Sequence, residues 1–517
     1  MTGETEGLAS DADVLVLGGG PAGAWAAIAA AERGASVILA DKGRVGASGA
    51  TAAANTAVID VAPGSEARRK VIERRAERGL GLADSGRVER MVDETYARLG
   101  RLTEWGYSFA RDERGEIYRG SLRGPDYMQL LRRRLHKVGV RLLDHSPASK
   151  LLLSGGEVVG ARGVTRTGAP WAVRSGAVVV ATGGCAFMSK ALGTYGLTGD
   201  GLLMAAEAGA ALSGMEFSGQ YGISHVDATV TKNLIYDWAT FTDESGRALD
   251  GGDLFEILAH NLPLGPVYAI IDRASSKIQE ALRRGQPNIF LPLDRLGIDP
   301  FRQRFPVTLR YEGTVRGVGG VAVDQNCAAS VPGLFAAGDA ASRESVVGAA
   351  SGGGGPNATW AIASGVWAGE AAFDCAARRG PRARSSARLD HADSHVEWRL
   401  DAEACVSTIR TIQSEMFPLE RNFIREEATL AGSLDRLDRA WREFETARAP
   451  SRSGDSPHRS TETAAMLASA SWICASALRR RETRGIHRRR DYPGLDRAPP
   501  GRFQVRGVEQ ISVERAQ

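Results

Sequence analysis

The segment Asp13-Val-Leu-Val-Leu-Gly18-Gly19-Gly20-Pro21-Ala22-Gly23 narrows what this chain can fold into more than any other stretch. Val14, Leu15, Val16 and Leu17 are apolar without alternation, as expected of a parallel strand covered on both faces, and 24–31 is an alanine-rich helical run. A glycine turn joins the two. Gly18 permits the tight turn, Gly20 lets the backbone come close to a diphosphate, and Gly23 lets the helix pack against the strand. Pro21 and Ala22 open that helix, so its N-terminal amides face the phosphates. A second strand over 36–40 ends at Asp41, whose carboxylate is placed to accept hydrogen bonds from adenosine ribose hydroxyls, with Lys42 beside it. The glycine pattern alone is a weak signal. Between a strand and a helix, with an acid at this spacing, it predicts a dinucleotide site.

With 517 residues and 43% hydrophobic content, the chain has material for large cores in about three lobes. A formal charge of +4 is small for this size, and the basic residues bunch late, at 479–481 and 488–490. Taken alone they read as a solvated face, and no nucleic acid partner is expected. Residues 1–12 carry three acids and no base, unlike a secretory signal or organelle presequence, and no apolar run approaches membrane-spanning length. The five cysteines are far apart and form no Cys-x-x-Cys pair. They point to a reducing cytoplasm and to no metal or iron–sulfur site in this chain.

After Asp41, residues 42–56 are mostly small and include Ser48 and Gly49, which suits backbone laid along a flat cofactor; a close-packed helix start is the other reading. The pattern predicts a helix over 71–99, a hairpin over 103–115, a helix over 125–138 and a strand over 140–143. Residues 144–150, with Ala148 as a cofactor contact, lead into a β-meander over 151–164 and 171–173. The meander returns through a strand over 177–181 into Ala181-Thr182-Gly183, a second place for backbone to meet the cofactor. Leu197-Thr198-Gly199-Asp200-Gly201 is expected to cap a long alanine-rich helix, Asp200 binding its first amides or a cofactor hydroxyl. Within 331–341 a final strand runs into Gly338-Asp339, and an acid there suits the ribityl chain or diphosphate of FAD, a demand NAD does not make. Asn357, Ala358 and Thr359 then begin a helix through 372 whose first amides face negative charge on a reduced flavin ring. The expected fold is α/β: a Rossmann-like FAD-binding domain (1–217 and 307–378), an inserted α+β capping domain (218–306), a linker (379–395) and a C-terminal helical domain (396–517). In the last, helices over 398–447 and 461–484 flank a surface loop at 449–460.

Taken in order, Gly18 to Gly23, Ser48-Gly49, Trp105-Gly106, Thr198-Gly-Asp-Gly201, Gly338-Asp339 and the run Glu482-Thr-Arg484-Gly485-Ile-His487-Arg-Arg489-Arg-Asp491-Tyr492-Pro493 carry a family resemblance. Over nearly its whole length the chain resembles the succinate dehydrogenase/fumarate reductase flavoprotein family, to which L-aspartate oxidase and the adenylylsulfate reductase flavoprotein belong. The resemblance implies bound FAD, a cap over the flavin, and hydride or electron-pair chemistry at flavin N5. Respiratory members attach FAD through a histidine where Gly49 stands here, so a non-covalent flavin is implied.

Dicarboxylate-handling members of the family clamp their substrate with histidines and arginines, and most of these are missing. Residues 219–221 are Gly-Gln-Tyr with no His-Pro pair, and the late arginine falls on or near Gly353. Val315 and Arg316 stand where a histidine would precede Gly319-Gly320, and no arginine matches the cap position within 250–266. Plain succinate or fumarate is therefore not expected. Arg316 is the first candidate for an anion contact, with Tyr221 and His225 at the cap hinge and His225 suited to proton exchange near neutral pH. Purely structural roles are the other reading of all three. Arg343 and Glu344 are further candidates, or a surface pair.

These readings predict an FAD-dependent oxidoreductase, dehydrogenase or oxidase, moving hydride between flavin N5 and a small polar substrate that bears a carboxylate or an amine. Oxygen, a quinone or a separate electron-transfer protein would then take the electrons. Three alternatives stay open: an adenylylsulfate reductase-like subunit working with a ferredoxin-type partner, a partner subunit without turnover of its own, and, for assembly, a homo-oligomer.

Overall fold

The computed structural model describes residues 8–111, 114–231, 233–351, 354–380, 402–446 and 457–516. The apolar run after Asp13 is the end of strand β1 (Leu8–Leu17), which lies in the middle of the main sheet. With β2 (Val37–Ala40), β3 (Arg141–Leu143), β4 (Ala148–Ser154), β5 (Glu157–Val164) and β6 (Pro170–Val180), the order is β3–β2–β1–β6–β5–β4. Leu334–Ala336 pairs in parallel on the other part of β6, Val178 opposite Leu334. Strands β2 and β6 flank β1 in parallel, Val14 facing Val37 and Ala177. Both faces are covered, which is why Val14 to Leu17 show no alternation and are all buried.

The meander strand at 171–173 and the strand at 177–181 are one element. The first half of β6 pairs with β5 in antiparallel fashion and the second half lies between β1 and Leu334–Ala336. The small polar step Ser175-Gly176 resembles a break, yet Ser175 is fully buried and a Cβ at Gly176 would lie 2.8 Å from that of Ala376. The dip in side-chain size admits a crossing helix.

Helix α1 (Pro21–Glu32) follows the glycine turn and is buried along 22–30. The expected helix over 71–99 is two, α2 (Glu66–Arg78) and α3 (Ser85–Glu104), each with its own N-cap: Ser65 accepts from Arg68 N–H and Asp84 from Arg87 N–H. Because α3 continues through Glu104, the hairpin is confined to Ala110–Arg111 against Ile117–Tyr118. Helix α4 (Gly124–Lys137) lies as expected, whereas α5 (Asp200–Glu207) has only two turns and Gly209, at φ +92°, follows its end.

The segment above the cavity is a separate antiparallel sheet, β7 (Tyr221–His225), β8 (Thr240–Thr242), β9 (Val267–Ile270) and β10 (Phe305–Tyr311), in the order β7–β10–β9–β8. Helix α6 (Leu254–Asn261) and the helices Ser276–Gly285 and Pro287–Arg295 pack on it around a core that includes Ile223, Leu258, Ile271, Phe290 and Phe305. Strand β10 carries this sheet five residues past 306, since Tyr221 pairs with Tyr311 at its far end. The short helix α7 (Gly313–Arg316) then returns the chain to the cavity.

Helix α8 (Gly355–Arg379) occupies the first residue of the expected linker; of the rest, 381–395 lie outside the described residues, as does Gly353. Helices α9 (Ala402–Met416), α10 (Glu427–Thr446) and α11 (Pro457–Arg479) pack together. Helix α11 starts inside the loop expected at 449–460 and stops at Arg479, five residues short of 484. The C-terminal segment is not helical throughout, because a hairpin of Phe503–Arg506 and Ser512–Arg515 joins Leu212–Ser213 and Gly320–Val321 in a further sheet. No helix among the described residues is long and apolar enough to cross a membrane.

Candidate cofactor and substrate site

A cavity of about 1110 Å³ extends from the β1–α1 turn to the cleft beneath the cap sheet. This exceeds the roughly 300–1,000 Å³ of an ordinary small-molecule site and suits a long cofactor with a substrate at one end. At the turn, Gly18 has φ +104° and its missing Cβ would lie 2.3 Å from the Ala181 carbonyl oxygen. Gly18, Gly20, Pro21 and Ala22 line the cavity. Gly23 does not: a Cβ there would meet Gly18 O at 1.8 Å, so its part is close packing of α1 on β1. No protein atom lies within 4 Å of where a Cβ on Gly20 would be, which leaves that space to a ligand.

Asp41 lines the same cavity, but its carboxylate also binds its own chain. Gly19 N–H donates to Oδ2 at 2.6 Å, and Gly43 N–H and the Ser48 hydroxyl each donate to Oδ1 at 2.7 Å. A carboxylate accepts about four hydrogen bonds, so one lone pair remains for a ribose hydroxyl. Ser48 and Gly49 thus belong to a loop pinned beside the turn, not to a helix start. Lys42 and Asp200 also line the cavity, where they bind each other: Lys42 Nζ donates to Asp200 at 2.7 Å, to Thr198 Oγ1 at 2.9 Å and to Glu462 at 3.1 Å. Burial by itself would lower the Lys42 pKa, but Asp200 and Glu462 raise it above the ordinary lysine value. Asp200 does not cap α5 through its side chain.

Further along, Ala148, Ala181, Thr182 and Gly183 contribute the wall on the sheet side, and Gly338, Asp339, Asn357 and Ala358 that on the α8 side. Gly338 is held from both directions, accepting from Trp360 Nε1 at 2.9 Å and donating to Ser364 Oγ at 3.0 Å. Asp339 is paired with Arg343. Thr359 is off the cavity; its hydroxyl donates to Gly355 O and accepts from Ile59 N–H, fixing the start of α8. Two buried polar atoms of the wall, Thr182 Oγ1 and Asn357 Oδ1, have no hydrogen-bond partner among the described residues, and α1 and α8 begin without side-chain caps. Unpaired buried polar atoms and two helix N-termini at one cavity fit the polar, anionic length of FAD.

At the cap end the three proposed catalytic side chains part company. Arg316, last residue of α7, lines the cavity with its side chain 18% exposed, pairs with Glu312 and donates to Thr231 Oγ1 at 2.9 Å. Tyr221 reaches the wall as part of an aromatic cluster with Tyr311 and Phe423, ring centroids 5.1 and 5.7 Å away. Burial lifts its pKa well above 10, so it stays a protonated phenol. His225 is not in the lining. It lies four residues further along β7, roughly 13 Å at strand rise, with Nδ1 accepting from Asp227 N–H, and burial lowers its pKa.

Arg343 and Glu344 are not a surface pair. Both are buried, and Arg343 donates to the carbonyls of Thr314, Val315 and Gly317, which clips in place the segment that carries Arg316. Glu344 accepts from Ser213 Oγ at 2.6 Å, and burial with the nearby Glu216 carboxylate pushes its pKa up to about 7. The late arginines divide similarly. Arg479, Arg481 and Arg490 are exposed, but Arg480, Arg484 and Arg489 are buried and bonded to Glu216 and Glu482, to Glu482, and to Asp491 respectively. His487 is buried beside Arg425, and burial holds its pKa well below 6.5. Its Nδ1 accepts from Arg425 at 2.9 Å while Nε2–H donates to Arg480 O. Arg488, passed over in a run that reads as a solvated face, lines the cavity. Its only sequence signal is its place between His487 and Arg489 in the closing motif.

The chain's similarities to known proteins follow the same division of parts. The family model described as FAD binding domain matches residues 13–356, and that described as Fumarate reductase flavoprotein C-term matches 416–500. A fumarate reductase flavoprotein subunit of Mycobacterium tuberculosis is 27% identical over 94% of this chain and 92% of its own length. An L-aspartate oxidase of Streptomyces coelicolor is 27% identical over 95% and 90%. Among solved structures, Mycobacterium smegmatis Sdh1 superposes with a TM-score of 0.82 at 23% identity, covering 98% of this chain and 94% of that one. Adenylylsulfate reductase from Archaeoglobus fulgidus gives 0.77 at 17% identity, over 99% and 96%. A cavity shaped for a flavin dinucleotide, reached from sequence motif and from fold alike, places the chain in the succinate dehydrogenase/fumarate reductase flavoprotein family as an FAD-dependent oxidoreductase.

Proposed function

We propose that the protein holds FAD without a covalent bond and oxidises or reduces a small polar substrate bearing a carboxylate or an amine, with hydride passing between substrate and flavin. The observation that carries this reading is one continuous cavity with dinucleotide-fitting walls at one end and Arg316, Tyr221 and the cap at the other. Among the described residues its lining contains no histidine and no cysteine, which supports a flavin bound by contacts alone. Relatives named fumarate reductase and L-aspartate oxidase, each about as distant, support a carboxylate-bearing substrate and leave the amine to experiment. Bound FAD supplies the two-electron exchange.

The chain's own residues orient and exclude. Arg316 presents guanidinium nitrogens to the cavity while Glu312 and Thr231 fix its head, and the Tyr221–Phe423 face keeps water from the reacting end. His225 is not part of this reading. Oxygen, a quinone or a separate electron-transfer protein takes the electrons in the cytoplasm, with a homo-oligomer or a ferredoxin-type partner as the assembly. An absorbance spectrum before and after acid precipitation tests the first part: FAD is released to the supernatant, and protein-bound yellow colour in the pellet would refute it. Anaerobic addition of amino acids, hydroxy acids and saturated carboxylic acids tests the second through bleaching of the flavin. A flavin–sulfite adduct formed with adenylylsulfate would instead favour a sulfur-nucleotide reductase.

A further inference from the structure

Arg488 differs from its neighbours in the closing run. Arg480, Arg484 and Arg489 are each held by a carboxylate at 2.6–2.8 Å, whereas the nearest acid to Arg488, Glu256 on α6 of the cap, is 3.8 Å from its Nε, beyond hydrogen-bond reach. The Arg488 side chain is 22% exposed and that of Glu256 58%. Its guanidinium lies 4.3 Å over the Phe423 ring, and Phe423 packs on Tyr221. All three line the cavity. The backbone beneath is fixed, since Arg425 N–H donates to Arg488 O at 2.9 Å and Arg490 N–H donates to Arg425 O at 2.8 Å. A guanidinium that is anchored at its root, stacked on a ring, partly desolvated and without a bonded carboxylate is a built receptor for a planar anion.

We propose that Arg488, supplied by the C-terminal domain, grips a carboxylate of the substrate at the seam between that domain and the cap, and so sets the enzyme's preference for anionic substrates. This rests on the oxidoreductase reading above and adds the residue that selects the substrate class. Arg316, whose head is already shared with Glu312 and Thr231, orients the other end of the molecule. Glu256 is the internal competitor for Arg488, and a ligand carboxylate displaces its weak, exposed contact.

The test is titration of the FAD-loaded protein with acetate, malonate, succinate and glutarate, and with acetamide and malonamide as uncharged controls, followed by flavin absorbance. Wild type is expected to bind carboxylates and not amides. Arg488→Gln should weaken carboxylate binding about 10- to 100-fold at unchanged FAD content and melting temperature, and Arg488→Lys should recover part of it. Glu256→Gln should tighten binding a few-fold by removing the competitor. Wild-type affinity in Arg488→Gln overturns the proposal. So does a Glu256→Gln variant that weakens binding as Arg488→Gln does, because Arg488 is then a latch between cap and helical domain. Failure of FAD-replete wild type to bind any carboxylate also overturns it, and anaerobic bleaching then judges the oxidoreductase reading separately. A wild-type protein that takes up no FAD fails that reading itself.

Discussion

Gly20 and Gly23 are three residues apart, yet alanine should fail differently at each. At Gly23 the new Cβ would lie 1.8 Å from Gly18 O, so helix α1 must shift; a loss of about 2–3 kcal/mol is expected, read as a lower melting temperature of the apoprotein together with lost FAD. At Gly20 the Cβ meets no protein atom within 4 Å. The apoprotein of Gly20→Ala should therefore melt within about 2 °C of wild type while its FAD-to-protein ratio drops, because the methyl group occupies ligand space. Both glycines were legible from their spacing after an apolar run. Their separate duties were not, since neighbouring positions in a turn point to different surroundings. His225 shows the same limit: it is a good proton carrier by residue type, but strand geometry puts it along β7 and away from the cavity.

Between elements, Lys42 ties the loop after β2 to α5 through Asp200 and to α11 through Glu462. Its three ammonium protons have three partners at 2.7–3.1 Å. Lys42→Met should cost about 2 kcal/mol in denaturant unfolding, chiefly by stranding two partly buried carboxylates. Adding Asp200→Asn should cost less than the sum of the separate changes, because the two groups act as one unit. The lysine after the strand-end acid was legible as part of the groove, and it lines the cavity. That its partners sit about 160 and 420 residues downstream follows only from packing. Element boundaries were misread where a local signal had two causes. The Ser175-Gly176 step resembles a break but marks a helix crossing, and glycines at 79 and 81 split one periodic run into α2 and α3.

Across the whole molecule, Glu216, Arg480, Glu482 and Arg484 form a buried network joining the FAD-binding domain to the closing motif, and the buried Glu344 carboxyl feels the charge of Glu216. The Glu344 carboxyl, at about 7 in the fold through burial and Glu216, has an ordinary value near 4.5. Below pH 4.5 it is protonated in both states and contributes no pH dependence. From 4.5 to about 7 the unfolded chain ionises first, so stability falls as pH rises, by up to about 3 kcal/mol. Glu207, raised to about 7 by burial against the opposing pull of Lys150, adds to the same slope. Asp491, held near 2 mainly by Arg489, acts oppositely and loses its contribution as pH falls from 3.8 toward 2. Glu344→Gln should match wild type near pH 4.5 and exceed it by about 2 kcal/mol at pH 8, measured by denaturant unfolding across pH; equal slopes in the two proteins would contradict this assignment.

The amino-acid sequence by itself determined the cofactor end of this protein. A tight turn, a close helix–strand contact and an acid at the next strand's end are constraints within some thirty residues, and each leaves its mark on residue type. The closing run determined the family in the same way, because its buried ion pairs demand particular residues at particular steps. At the cap end of the cavity, the meeting of residues from distant segments was decided by the tertiary structure. Arg316 and Arg488 are separated by 172 positions and reach one cavity only because the cap and the C-terminal domain close over the same sheet. Whether an arginine in a basic run meets water, a carboxylate or a ligand depends on what the rest of the chain packs around it.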